Sequence, residues 1–529
     1  MNTRNARWLL LIIIIIASFL RLYHLTPYTT IPCCTGQATL PPGLYPDEAM
    51  NGNNALEAIR TGDYKVYYPE NNGREGLFMN IQSLFLRVTG LREPWVLRLP
   101  SALLGILTVL GLYFLGKELV SREAGLLAAF FLATNFWHIN FSRIGFRAIM
   151  APFFLIWTVA LLLIAWRTMK EPATRRMAFG IAILAGIIYG LGFYSYIAYR
   201  VSPILIFFII AYFFWRSAKE GWRRQFLQSV VLFLLVTFFT ALPIGIYYLQ
   251  HPADFLGRTS QVSVFSSPTP MKDLATNTLK TLGMFNVSGD WNWRHNYPGR
   301  SELFWPVGVL FLIGIVVATK NIIKNVKISA GGGSAFGGKN SANNLIPYFP
   351  FSVLFIWFFI AALPVVISNE GIPHALRSIL LIPPAMLFAA IGGVWIYERI
   401  EERGQRTENK RRWRTLGFAL STFLFALTLF DSYHTYFILW GQNPNTQGAF
   451  AADYVVLGRT LNTLPREAPK YIVVDAGGVL VRGVPMPAQT VMFITDSFLP
   501  AQQQEKNIHY VLPDAASQIP PGAEVFHIR

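Results

Sequence analysis

Two adjacent carboxylates, Asp47 and Glu48, stand in the stretch "GLYPDEAMNGNNALEAIRTGDY", about twenty residues after the first apolar run of the chain. Pro46 suits the first position of a helix, which places both acids in its first turn. The ordinary role of such acids is to complement the helix dipole, worth about 0.3–1 kcal/mol. A second charged pair, Arg74 and Glu75, follows in "NNGREGLF" within the same loop. Carboxylates gathered in one loop can also take a proton from a hydroxyl nucleophile. Asp47, Glu48 and Glu75 are therefore candidate catalytic residues.

Arginines recur at the same level of the chain. Arg98 lies in "VLRLPSALLG", Arg143 and Arg147 in "HINFSRIGFRAIM", and Arg377 in "GIPHALRSI", with His374 one turn earlier. An arginine near the end of a membrane helix ordinarily snorkels to the headgroups. These four stand against the positive-inside trend, and charges that costly tend to pair or to mark a site. A planar fork of donors suits a phosphate. Arg74, Arg98, Arg143, Arg147, His374 and Arg377 thus form a candidate phosphate-binding set. Carboxylates beside a phosphate site at the lipid–water boundary would suit a sugar carried on a lipid phosphate. The phosphate leaves without a general acid, so the site needs a base for the acceptor and cations for the leaving group.

The elements that must hold these residues are membrane helices. The 529 residues are 53% hydrophobic and 14% charged, against about a quarter charged in soluble proteins. The net charge of +17 is accounted for by Lys- and Arg-rich loops, so no nucleic-acid partner is expected. Eleven spans are predicted: 8–25, 95–116, 124–141, 148–166, 177–197, 201–215, 226–249, 303–319, 347–367, 378–397 and 415–437. The positive-inside rule then places the N-terminus in the cytoplasm and loops 26–94 and 250–302 outside. The first span lacks a small-residue cleavage site and reads as retained. The run 76–90 is too short to span and reads as a helix lying at the outer interface. Residues 329–344, "SAGGGSAFGGKNSANN", read as a flexible linker. Cys33 and Cys34, the only cysteines, have neither disulfide-framework nor metal-ligand spacing.

The chain divides into a transmembrane domain, 1–439, and a small α/β domain, 440–529, expected outside the membrane. In the latter a helix is predicted near 446–464. Strands are predicted at "KYIVVDAG", "TVMFIT", "NIHYVLP" and "AEVFHIR". Signals of lower specificity are the sequons at Asn140 and Asn286, the aromatic loop "GDWNWRHNYPGRSELFW", and "YSYIAYR". Interfacial aromatic residues are common by default.

Over roughly residues 8–400 the chain resembles the GT-C fold glycosyltransferases of the protein O-mannosyltransferase and aminoarabinose-transferase type (glycosyltransferase family 39-like). The resemblance rests on "YPDEAMNGNNALEAIRTGDY", "GREGLF", "RLPSALLGILTVLGLYFLGKEL", "GLLAAFFLATNFWHINFSRIGFRAI" and "PHALRSI" in this order. It implies an all-α polytopic membrane fold that uses polyprenyl-phosphate sugars at the outer face of the cell membrane. It also implies roles for Asp47 with Glu48, for Glu75, and for Arg98. The family's His-Pro-Pro segment is replaced here by "GREGLF", and its β-trefoil module is absent, so the resemblance does not carry over an acceptor beyond a hydroxyl group. Use of a divalent cation (Mg, Mn or Zn) is left open, with Asp47 and Glu75 as candidate ligands. Two other readings stay open: a transporter or flippase of lipid-linked saccharides, and a ligase or polymerase of them. A transporter would show internal repeats and mid-membrane charges; no clear repeat is visible, and the charges gather at one face.

Overall fold

The structure, a computed structural model, describes residues 3–27, 39–255, 263–330, 349–406 and 409–529. Cys33, Cys34 and most of the 329–344 linker lie outside the described residues. Among the described residues, ten helices are long and apolar enough to cross a membrane, from Thr3–Leu22 to Arg411–Trp440. The protein is a multi-pass membrane protein.

The third predicted span, 124–141, is not among them: it is two consecutive helices, α5 (Arg122–Thr134) and α6 (Phe136–Phe141). Asn135 between them is extended (ψ 125°), and its side chain caps α6 by accepting the His138 N–H at 3.1 Å. The carbonyls freed at the end of α5 need partners inside an apolar bundle. Arg21, at the end of α1 (Thr3–Leu22), donates to the carbonyls of Leu132 and Ala133 at 3.2 and 3.0 Å. The Ser432 hydroxyl takes that of Thr134. The break is therefore a satisfied feature of the fold.

Elsewhere the bundle packs through small residues, as membrane helices do where lipid supplies no hydrophobic drive. The helices Trp305–Ala330 and Ile382–Gln405 meet backbone to backbone: a Cβ on Gly314 would lie 1.7 Å from the Phe388 carbonyl oxygen, and one on Gly392 2.0 Å from that of Leu310.

Between α1 and the long helix α4 (Pro94–Leu119) run α2 (Pro46–Thr61) and α3 (Leu77–Thr89). The predicted interfacial helix is α3. It buries Phe78, Met79 and Leu86 and exposes Leu84 and Val88, as a helix lying along an apolar boundary would. A two-residue antiparallel ladder pairs Tyr67–Tyr68 with Arg74–Glu75 and so fixes the second charged pair.

Helix α2 begins as its sequence requires, with Tyr45 extended, Pro46 at the first helical position and Glu48 three residues past the cap. Glu48 accepts the Tyr45 N–H at 3.2 Å. Its carboxylate is fully buried and paired with Arg98 of α4, through Nε at 2.8 Å and Nη2 at 2.9 Å. Glu48 also accepts the Gly145 N–H at 2.6 Å, and Arg98 donates to the carbonyls of Pro41 and Gly43 at 2.6 and 3.0 Å. One buried ion pair thus ties the start of α2 to α4, to the loop before α2 and to the segment after α6.

After the last span, helices Pro444–Ala449 and Ala452–Thr463 lead into a parallel three-stranded sheet. Lys470–Val474 is its central strand, flanked by Ile508–Val511 and Glu524–Ile528. Three of the four predicted strands are present. "TVMFIT" is instead helical, within Gln489–Thr495, with every residue buried. A short apolar run buried on all sides has no periodicity that separates strand from helix.

Removing one partner of a buried ion pair leaves an uncompensated charge, at a cost of about 3–5 kcal/mol. Glu48→Gln is therefore expected to lower the melting temperature of the detergent-solubilised protein by several degrees or to abolish folding. A melting curve matching wild type would remove the pair from its structural role.

Candidate functional site

Where α2 begins, a cavity of about 650 Å³ opens, and Asp47 and Glu48 part company there. Successive residues on a helix face directions about 100° apart. Glu48 points inward to Arg98, whereas Asp47 lines the cavity. Asn71 donates to Asp47 Oδ1, and Tyr45 stands beside the same carboxylate on the cavity wall. Burial and the neighbouring Asp47 charge push the Tyr45 phenol up to about 12, against an opposing pull from Arg294. Tyr45 is therefore a neutral donor at any working pH. The Arg294 guanidinium lies over its ring at 4.1 Å. A carboxylate offers about four lone-pair positions, so the Asn71 amide orients Asp47 and leaves acceptor capacity toward the cavity.

Four arginines share that cavity: Arg74, Arg147, Arg294 and Arg377. Arg74 is held by Asn51 and Asn54 of α2, at 2.6 and 2.7 Å. Arg147, at the turn leading into α7 (Met150–Thr168), is paired with Glu75 at 2.9 Å and lies over the Tyr196 ring at 5.7 Å. Glu75 is also reached by Arg200 at 3.5 Å, so that carboxylate sits between two guanidiniums. Arg377 pairs with the exposed Glu370 at 2.6 Å and donates to the Ser368 hydroxyl. Of the arginines read as phosphate-binding, Arg98 and Arg143 do not line the cavity. Arg98 is consumed by Glu48. Arg143 is buried, donating to the carbonyls of Leu20 and Leu40 at 3.1 and 2.9 Å, with Tyr436 and Phe437 rings 5.2 and 5.1 Å away.

Opposite Asp47, His374 joins two residues that the sequence reading did not single out, Asp290 and His295. Their ligand atoms all lie within 4.8 Å of one another. Asp290 Oδ2 is 2.9 Å from His295 Nδ1 and 3.9 Å from His374 Nδ1, and accepts the Ala375 N–H at 2.9 Å. Burial pushes the Asp290 carboxyl up, but the His295 hydrogen bond and the two imidazoles outweigh it, and the group is held below its usual value. Burial and the adjacent His295 push His374 well below the usual imidazole value. Behind them Glu302 accepts the Asp290 N–H at 3.0 Å, and burial pushes its carboxyl well up.

Two histidines and a carboxylate are a donor set that suits Zn²⁺, and a neutral imidazole is the form that ligates. The side chains present fit a divalent cation at this wall. Asp47 and Glu75, the ligands suggested from the sequence, are not in this trio. Asp290 and His295 carry no periodic signal. An acid and a histidine in "GDWNWRHNYPGR", in a loop already rich in Trp and Arg, are the trace that marks them. The Asn140 of the first sequon is buried and donates to the Arg294 carbonyl at 2.8 Å, while Asn286 is exposed.

Residues 77–244 match the family described as dolichyl-phosphate-mannose-protein mannosyltransferase. No curated protein sequence matches the chain. Among solved structures, the archaeal oligosaccharyltransferase AglB from Archaeoglobus fulgidus, in complex with an inhibitory peptide and a dolichol-phosphate, is 15% identical with a TM-score of 0.51, over 93% of this chain and 63% of that one. The same organism's oligosaccharyltransferase in complex with Zn and sulfate is 13% identical with a TM-score of 0.55, over 92% and 61%. ArnT from Cupriavidus metallidurans bound to undecaprenyl phosphate is 13% identical with a TM-score of 0.54, over 99% and 90%. The chain thus spans less than two thirds of the archaeal enzyme and nearly the whole of ArnT. Its architecture is the GT-C fold of membrane glycosyltransferases, and its resemblance to the protein O-mannosyltransferase and aminoarabinose-transferase type is carried by both the family match and the fold.

Proposed function

We propose that the protein transfers a sugar from a polyprenyl-phosphate donor to a hydroxyl-bearing acceptor at the outer face of the cell membrane. The observation that carries this reading is the meeting of Asp47 with Arg74, Arg147, Arg377 and His374 in one cavity. The structural likeness to proteins bound to dolichol-phosphate and undecaprenyl phosphate supports it. The outward placement rests on the Lys- and Arg-rich loops, which put the opposite helix ends in the cytoplasm. Membrane-impermeant labelling of Ser288→Cys from outside checks that side; protection there would reverse it.

In this mechanism the acceptor oxygen attacks the anomeric carbon as the bond from that carbon to the phosphate oxygen breaks. The lipid phosphate leaves with the bonding electrons. Asp47 takes the acceptor's proton, oriented by Asn71. Arg147 and Arg377, with Arg74 and Arg294 beside them, stabilise the negative charge gathering on the phosphate. Glu75 holds Arg147 in place, and Glu48 serves the fold through Arg98. Asp290, His295 and His374 would hold a divalent cation. When bound, it adds positive charge at the cavity wall, where anionic phosphate is favoured.

Purified protein incubated with a panel of polyprenyl-phosphate sugars should release lipid phosphate from at least one. Asp47→Asn should cut that turnover by about 10²–10⁴-fold, the usual range for a lost general base, with melting unchanged. Near-normal turnover would sink the assignment. In the same preparation Arg147→Gln or Arg377→Gln should weaken undecaprenyl phosphate binding by about tenfold, the worth of one charge-assisted hydrogen bond. Unaltered binding in both would remove the phosphate site.

Metal analysis of the purified protein should find a divalent cation, zinc foremost, at about one per chain. His295→Ala and His374→Ala should each lose it. Equal metal content in wild type and both variants, or none in any, would leave the trio as a hydrogen-bonded cluster alone.

A further inference from the structure

Helix α2 is gripped from the side opposite the membrane bundle by the C-terminal unit. Met50 lies in the apolar core of that unit, with Ile472, Val474 and Val491. Asn53 donates through Nδ2 to the Gln489 backbone carbonyl at 3.1 Å and to its side-chain Oε1 at 2.9 Å, and both residues are fully buried. The Thr490 hydroxyl donates to the Leu44 carbonyl at 2.9 Å, one residue before Tyr45. At Gly52 an added Cβ would lie 2.6 Å from the Phe493 ring and 2.7 Å from Leu97, so α2 is wedged between the Gln489–Thr495 helix and α4. Beyond the far end of α2, Asp496 takes Arg60 at 2.5 Å and Arg92 at 2.9 Å. Gln489, Thr490, Phe493 and Asp496 do not line the cavity.

We infer that the C-terminal α/β unit is a positioning element for Asp47, with Gln489 and Phe493 as the positioning residues that hold α2 at its station. A helix of sixteen residues is marginal by itself and takes its stability from packing. The α2 residues that line the cavity are polar, Asp47 and Asn51, so the apolar packing that anchors the helix comes from its other faces. Catalysis by a general base tolerates little displacement, since a shift of about 1 Å can cost about 10²-fold. This inference rests on the reading of Asp47 as the base.

The test compares full-length wild type with Phe493→Ala, Phe493→Leu and Gln489→Ala. Hydrogen exchange of the α2 backbone amides, kcat, and undecaprenyl phosphate affinity are measured together. In Phe493→Ala, exchange over 47–54 should rise by about tenfold or more while α4 and α7 stay protected. The same variant should lose about 10–100-fold in kcat, with a smaller loss in lipid-phosphate affinity, because Arg147 and Arg377 are held from outside α2 while Arg74 leans on Asn51 and Asn54. Phe493→Leu should restore most of both. If Phe493→Ala does not fold, Gln489→Ala, which removes only the side-chain acceptor of Asn53, carries the same comparison with smaller effects. Unchanged α2 exchange, or exchange rising equally throughout the bundle, overturns the inference. If wild type releases no lipid phosphate from any donor, the catalytic reading fails by itself, while the exchange data still decide whether the C-terminal unit positions α2.

Discussion

The buried pair of Glu48 and Arg98 is the constraint on which the site depends. Its carboxylate and guanidinium have no access to water, so each charge is stabilised only by the other and by the backbone around it. That backbone belongs to several otherwise separate stretches: the loop at Pro41 and Gly43, the N–H of Tyr45, and the N–H of Gly145 beyond α6. The pair therefore assembles the site before any substrate is considered. It also gives the two neighbouring acids different tasks. Helical rotation sends Glu48 into the interior and leaves Asp47 on the cavity wall with neutral partners.

The pattern repeats in the arginines. Guanidiniums in the interior are consumed by structure: Arg98 by Glu48, Arg143 by two carbonyls and two rings, and Arg21 by the broken end of α5. Those lining the cavity are braced in place, Arg74 by Asn51 and Asn54, Arg147 by Glu75 and Arg377 by Ser368. Bracing of this kind reduces the reorganisation needed when charge develops on a bound group.

Much of this was legible in the sequence, and the limits have physical causes. Hydropathy located the spans because backbone groups in lipid must satisfy one another, which leaves long apolar helices as the solution. It could not show the break at Asn135, since an asparagine between two apolar runs becomes a cap only when Arg21 and Ser432 arrive to take the freed carbonyls. "TVMFIT" was misread as a strand because the α2 packing that makes it a buried helix comes from far earlier in the chain. Arg147 and Arg377 stand out because charges against the positive-inside trend are expensive, Asp47 and Arg74 because each sits in a charged pair of one loop, and His374 because it lies one turn before Arg377. That rule selects costly charges without distinguishing a ligand-facing arginine from one neutralised inside, and so Arg98 and Arg143 were gathered with the rest. Tyr45, Asn71, Asp290, His295 and Arg294 lie in loops, where no periodicity ties one position to another.

The charge balance of the cavity connects the fold to its chemistry. Four arginines and three carboxylates line it, Asp47, Asp290 and Glu370. Asp290 is turned toward two histidines and a backbone N–H, and Glu370 is an exposed partner of Arg377 at the rim. Asp47 accepts from the neutral Asn71 amide. The remaining field is cationic, and its arginines come from the loop before α3, the turn before α7, the aromatic loop and the segment preceding Ile382–Gln405. An anionic headgroup entering there would offset that positive charge. A neutral hydroxyl compound would not, but it would find a carboxylate to accept its proton. One cavity thus gathers guanidiniums that suit an anion and a carboxylate that suits a base.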